Sequence, residues 1–318
     1  MARTGGGAIP PHRAMPPSRL TPNLGRGFPP ARESWKELMA LSLNPTVARA
    51  IAIGVALAPI VASSEARAQS KLEASYTISF ARIPIGSVTA TSEIGSTEYT
   101  TAMSGRASAM LRVLAGGEGT LTASGRVKEG RLIPSHYQSN TIADDDTLDV
   151  TMTFEDGDVK ELSASAPPPA SDRVAVSERD RRGVADPLTA LLVPAANGDG
   201  VAEVACERTL AIFDGRRRYD LKLAFKRIDA VKAEQGYAGP AVVCAVTFQP
   251  IAGHRVSSPL VKFLSGGHDI ELVLAPVAGA RVLAPFRLTV TNMLGNLVVQ
   301  ADRFETAARP SAATSQTE

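Results

Sequence analysis

The 318 residues carry 34 Lys or Arg against 32 Asp or Glu, a formal charge of +2. That slight excess belongs to the first 68 residues, which hold eight basic and three acidic side chains; beyond them 26 basic residues face 29 acidic ones. With no basic stripe interleaved with aromatics, nucleic-acid binding is excluded, and the remaining stretch of about 250 residues suffices for one domain with a sizeable core.

Met1–Pro30 holds seven prolines and five glycines, too little apolar surface to offset the entropy of ordering. Residues 1–38 are therefore expected to be disordered or, because Met39 opens a conventional leader, an overextended gene start. Arg49 then precedes Ala50–Ala62, thirteen uncharged, mostly apolar residues, and Ala66-Arg67-Ala68 closes the stretch with small residues at alternate positions. Charge, short apolar run and small residues are the layout of a secretory signal peptide, so 39–68 is read as one, cleaved between Ala68 and Gln69. An apolar run interrupted by Gly54 and Pro59 is too short for a membrane span, which takes about 20 residues. The expected location is the periplasm of a bacterial-type cell, with no integral membrane segment after processing.

From 69 to 305 a single all-β domain is expected. Leu72, Ala74, Tyr76, Ile78 and Phe80 alternate with polar residues, giving one buried and one wet face. Ile83-Pro84-Ile85-Gly86 reads as a turn, followed by strands over 87–94, 99–105, 116–128 and 132–141. Asp156-Gly157 then joins the strands 148–154 and 159–162 as a tight hairpin. Ala166–Ala170 reads as a loop between two halves. One short helix, about 187–192, is signalled by Asp186 as N-cap, Pro187 at the first helical position, and Leu188, Leu191 and Leu192 on one face. Two turns this apolar belong against the sheet, as a plug at one end or one face. Asp214-Gly215 joins 209–213 to 217–225, and strands over 241–248, 270–274, 281–293 and 297–304 follow. The tail 306–318 is small and polar and is expected to be disordered. About a dozen strands and one helix fit a wrapped antiparallel sheet or incomplete β-barrel. Scattered aromatics and a polar tail argue against an outer-membrane barrel.

Cys206 and Cys244 are the only cysteines. In an oxidising compartment an even pair reads as a disulfide, with two buried thiols as the alternative. His136, His254 and His268 have no metal-ligand spacing, and neither nucleophile-elbow nor phosphate-loop motifs occur. Asp144-Asp145-Asp146 lacks the glycine and later Glu of a calcium loop and reads as a solvated turn. No metal, no cofactor and no enzymatic activity are expected. The sharpest feature is Arg217, which shares the apolar face of its strand with Tyr219, Leu221, Leu223 and Phe225, while Arg218 falls on the other face. A strand-end Arg either pairs with a carboxylate or stands at the rim of an apolar cavity, where it can hold an anionic head. His254 and Arg255, ending another strand-like segment, are candidates for the same rim.

Several segments then resemble a known family. Tyr76–Phe80 with Pro84-Ile85-Gly86, Gly130–Pro134, Asp186-Pro187-Leu188, Cys206 with Phe213–Tyr219, and Cys244 before Pro250–Arg255 are similar to an uncharacterised proteobacterial family of exported β-rich proteins, catalogued as a domain of unknown function. The resemblance runs over roughly Leu72 to Phe304, implies export and a β fold, and brings no catalytic residues. A curved sheet with a helical plug is also loosely similar in fold to the periplasmic lipoprotein carriers. Two functions stay open: a protein holding an amphipathic, lipid-like molecule in its sheet, with Arg217, Tyr219, His254 and Arg255 at the site, or a cell-envelope assembly or structural factor whose partner is another envelope protein.

Overall fold

The computed structural model describes residues 70–108, 117–143, 146–165, 170–195, 200–292 and 295–308. The leader, its cleavage position at Ala68 and Gln69, the pair Asp144-Asp145, most of the 166–170 loop and the last ten residues lie outside them.

The first half is a seven-stranded meander: β1 (Ser70–Phe80), β2 (Ile83–Ile94), β3 (Glu98–Ala107), β4 (Gly117–Lys128), β5 (Arg131–Ala143), β6 (Asp146–Glu155) and β7 (Asp158–Ala164). After it come α1 (Pro187–Leu191) and the two-residue β8 (Val193–Pro194). The second half holds β9 (Arg208–Phe213), β10 (Arg218–Lys232), the two-residue β11 (Gln235–Gly236) and β12 (Ala238–Ala252). It ends with α2 (Pro259–Ser265), β13 (Asp269–Pro276), β14 (Val282–Asn292) and β15 (Gly295–Ala308). All belong to one sheet. Its main path is β7-β6-β5-β4-β3-β2-β1-β15-β14-β13-β12-β10-β9, antiparallel throughout, with β8 added to β14 and β11 to β15. The first and last strands thus pair at its centre, Tyr76 opposite Ala301 and Leu72 opposite Thr306.

Local chemistry explains the hairpins. Glu129-Gly130 and Asp156-Gly157 both take positive φ, as the mirror-image two-residue turns require. The β1–β2 turn is Ala81-Arg82, at φ 47° and 69°, and not the Ile83–Gly86 step expected from its proline. Pro84 is tolerated inside β2 because the pairing with β3 begins only at Gly86, so that no ladder bond to β3 is lost there. At the other end, β15 takes in Thr306, Ala307 and Ala308, which the sequence assigns to the tail.

The expectation of one helix is also corrected. The Asp186 carboxylate caps α1 by accepting from the N–H groups of Leu188 and Thr189, both at 2.9 Å. Ser258-Pro259 repeats the same cap-then-proline signal and starts α2, with the Ser258 hydroxyl accepting from Val261 N–H.

The ladder does not close into a barrel: β7 and β9 are its two ends. Side chains bridge the gap. Phe213 of β9 packs with Val150, Met152 and Phe154 of β6 and with Val184 and Leu188 from the connector between β7 and β9. Val184 N–H donates to Gly157 at 2.7 Å, and Ala185 forms a β-bridge with Ile212. Gly215 lies so close to Val150 that a Cβ there would stand 2.2 Å from a Val150 methyl. Through β12, β13 and β14 the sheet is covered on both faces, which accounts for the apolar runs Ala241–Cys244 and Leu272–Ala275 in place of alternation. Cys206 and Cys244 form a disulfide, 5.4 Å between Cα atoms, that fixes the connector to β12.

Candidate functional site

The rolled sheet encloses an apolar cavity of about 590 Å³, within the 300–1,000 Å³ typical of small-molecule sites. Leu72, Tyr76 and Ile78 of β1 form one wall with Val88 and Ala90 of β2; Leu221, Val246, Phe248, Ile270 and Leu272 face them. Leu188, Leu191 and Leu192 bring α1 into the lining, the plug expected from its apolar face. Leu260, Val261 and Leu264 do the same for α2. Two polar pairs in the walls are satisfied: Ser92 and Thr101 share a hydrogen bond of 2.9 Å, and the Tyr76 hydroxyl donates to the Pro285 carbonyl at 2.7 Å; Arg287 of β14 adds a charged group to the lining. Such pairing offsets the cost of burying those hydroxyls in a mostly apolar lining.

One part of the lining differs. Arg173, Asp214, Arg217, Tyr219, His254, Arg255 and Ser258 all border the cavity. The four residues singled out from the sequence are therefore brought together, from two places: the β9–β10 hairpin and the loop after β12. The first is the β9–β10 turn. There Asp214 accepts from the N–H groups of Arg216 (2.9 Å) and Arg217 (2.6 Å), and its carboxylate stands 4.0 Å from the Arg217 guanidinium. Strand β10 begins one residue later than expected, at Arg218, so Arg217 belongs to the turn and projects from the rim, 57% exposed. Tyr219 packs its ring on Phe248, centroids 5.6 Å apart, and burial holds its hydroxyl above the usual tyrosine range.

The second loop follows β12. Gly253 takes φ 77°, and a Cβ on it would lie 1.8 Å from the Arg216 carbonyl oxygen, so glycine is what allows the two loops to touch. The connector pins this loop from outside: Gly253 N–H donates to Val174, Val174 N–H to His254, and the Arg173 guanidinium to Gly253 at 2.8 Å. Asp172 accepts from Ser257 N–H at 2.8 Å and pairs with Arg255 at 3.3 Å; the Ser257 hydroxyl and N–H, then Arg255, hold its carboxyl down at about 2. His254 Nδ1 is buried without a hydrogen-bond partner among the described residues.

Arg173 and Ser258 escape a reading of the sequence. Arg173 reaches the rim only through its β-bridge with Arg255, a pairing with no local signature; Ser258 was detectable through the proline after it. Arg218 is turned elsewhere, donating to the Tyr219 carbonyl at 2.7 Å and pairing with Asp220. His268 stacks on Phe263 at 4.5 Å. Among the described residues no cluster of three His, Cys, Asp or Glu is placed to hold a metal ion, and no helix is long and apolar enough to cross a membrane.

None of the curated proteins matches the chain. Among solved structures it is similar to a β-barrel-like protein of domain of unknown function DUF1849 from Brucella abortus, at 12% identity, over 74% of this chain and 98% of that one, with a TM-score of 0.41. Residues 75–302 match the model of the family described as "Protein of unknown function (DUF3108)". That match bears out the resemblance to an uncharacterised family of β-rich proteins: the chain belongs to the DUF3108 family.

Proposed function

We propose that this protein is an exported, non-enzymatic binding protein that holds an amphipathic molecule, its apolar part inside the sheet and an anionic head at the rim. The observation that carries the reading is the union of an apolar cavity with a basic lip. Arg173, Arg217, Arg255, His254 and Arg287 border the cavity, whose one lining carboxylate, Asp214, is engaged by backbone N–H groups, while Arg255 also pairs with Asp172. A guanidinium offers paired donors to a carboxylate or phosphate, and the unpartnered His254 Nδ1 adds a polar atom that such a head would satisfy. Export is supported by the charge, apolar run and small residues of 49–68 and by the compatibility of the disulfide with an oxidising compartment.

The test is native mass spectrometry of protein purified from the exporting cell, with palmitate and phosphatidylglycerol as added probes. The wild type should carry an anionic amphipath, and Arg217→Leu should bind the probes about ten- to a hundredfold more weakly, the loss of a charge-assisted hydrogen bond worth about 1.5–3 kcal/mol. Lys222→Gln, on an exposed outer position of β10, should bind like the wild type. Arg218 is unsuitable as the control, since it holds an ion pair and a backbone carbonyl. A wild type that neither retains nor takes up an amphipath would overturn the reading and leave the envelope assembly factor in its place.

A further inference from the structure

Helix α2 crosses from the far end of β12 to the start of β13 beside the cavity opening, and it is packed unlike α1. Helix α1 buries Leu188, Thr189 and Ala190, whereas no residue of α2 is buried. Val261, Phe263 and Leu264 are partly buried, while Leu260, which also borders the cavity, and the nearby Val256 are exposed. At 60% and 59% they are the most exposed large apolar side chains among the described residues. Two such residues four apart, beside a cavity lined by the same helix, make an apolar surface continuous from the interior to the outside.

Cations are the more exposed charges beside that surface. Lys262 is exposed on α2, and the guanidiniums of Arg255 and Arg217 are 55% and 57% exposed. The carboxylates paired with these two guanidiniums are less exposed than they are: Asp172 (31%) is held by Ser257 and Arg255, and Asp214 (23%) by the backbone of its own turn. Exposed apolar side chains ringed by cations are what an interfacial element presents to an anionic bilayer, with the apolar groups in the headgroup boundary and the cations against phosphates. A protein partner matched to this patch would have to bring an acidic rim around an apolar knob; a bilayer offers both at every point.

We infer that the lip formed by Val256, Leu260 and Lys262, with Arg255 and Arg217 behind them, docks on anionic membranes, bringing the cavity opening against the lipid from which an amphipath enters or to which it leaves. The inference rests on the cavity reading, yet docking and cargo are measured separately. Purified protein is floated with vesicles of phosphatidylcholine alone and with 30 mol% phosphatidylglycerol, and bound amphipath is read on the same samples by mass spectrometry. Wild type should partition onto the anionic vesicles and release from them as salt rises from about 0.1 to 1 M, where the screening length falls from about 10 to 3 Å. Val256→Asp and Lys262→Glu, neither of which borders the cavity, should each lose tenfold or more in partitioning and keep their cargo. Wild type that ignores anionic vesicles, or variants that partition as well as it does, would overturn the docking surface, the first outcome turning the patch over to a protein partner. Partitioning by a protein without cargo would sustain the docking surface and remove the cavity reading instead.

Discussion

Asp186 is the N-cap of α1, the helix whose leucines line the cavity. It is fully buried, and that burial raises its pKa from 3.8 to about 6 against the opposing hydrogen bonds from Thr189 and Leu188. Its second oxygen accepts from the Thr189 hydroxyl at 2.6 Å, and that hydroxyl accepts in turn from Tyr99, also at 2.6 Å. The sign of the linkage follows. Below 3.8 the carboxyl is neutral folded or unfolded; between 3.8 and 6 only the folded protein keeps the proton, so this group's contribution falls as pH rises, by about 1.4 kcal/mol per unit and about 3 kcal/mol in all. Asp186→Asn keeps an acceptor for the cap and cannot ionise. Urea unfolding at pH 4 and pH 7 should therefore show the wild type losing about 2–3 kcal/mol relative to the variant across that interval. A difference that stays constant with pH would refute the assignment.

Among the elements, the disulfide makes the clearest claim. It joins residues 38 apart and, in the chain-entropy account, removes about 3–4 kcal/mol of freedom from the unfolded chain. Reduction, or Cys206→Ala with Cys244→Ala, should lower the melting temperature by about 10 °C at 2–4 °C per kcal/mol for a domain of this size. Alkylation of two thiols in unfolded, unreduced protein would rule the bridge out. What could be read before the fold was known was local. Alternation in β1, the Asp-Gly turns and the Asp186-Pro187 cap each depend on a few neighbouring residues, so they are visible in the sequence. The Ala81-Arg82 turn is hidden because neither residue advertises positive φ; it is held from elsewhere, Ala81 N–H donating to Asn296 at 3.0 Å. The site divides the same way. Tyr219 is betrayed by its alternation with Leu221 and Leu223, Arg217 stands in the turn just before that strand, and Arg173 reaches the rim only by pairing with a loop 82 residues away.

For the whole molecule, the proposed export has a direct optical consequence. Trp35 is the single tryptophan and lies upstream of the expected cleavage after Ala68. Protein recovered from outside the cytoplasm should therefore fluoresce as tyrosine alone, from residues such as Tyr76, Tyr99 and Tyr219, and its N-terminal residue should be Gln69. A tryptophan emission band, or an N-terminus mapped before Trp35, would refute processing at that position.

The pairing of β1 with β15 bears on when the sheet can form. The Arg303 guanidinium meets Glu73 across 230 positions of sequence, and Thr77 meets Asp302 across 225. Contacts so remote lie at the slow end of folding, because a long loop must be ordered before any pairing rewards it. The two halves of the ladder run outward from this central seam, so until Leu297–Ala308 has been made, β1 and β14 each face the solvent with an unpaired edge. A ribosome holding the unfinished chain thus holds one whose seam is still missing. The hairpins on either side can pair from neighbouring residues, but the seam that joins them closes only after the last strand has left the ribosome.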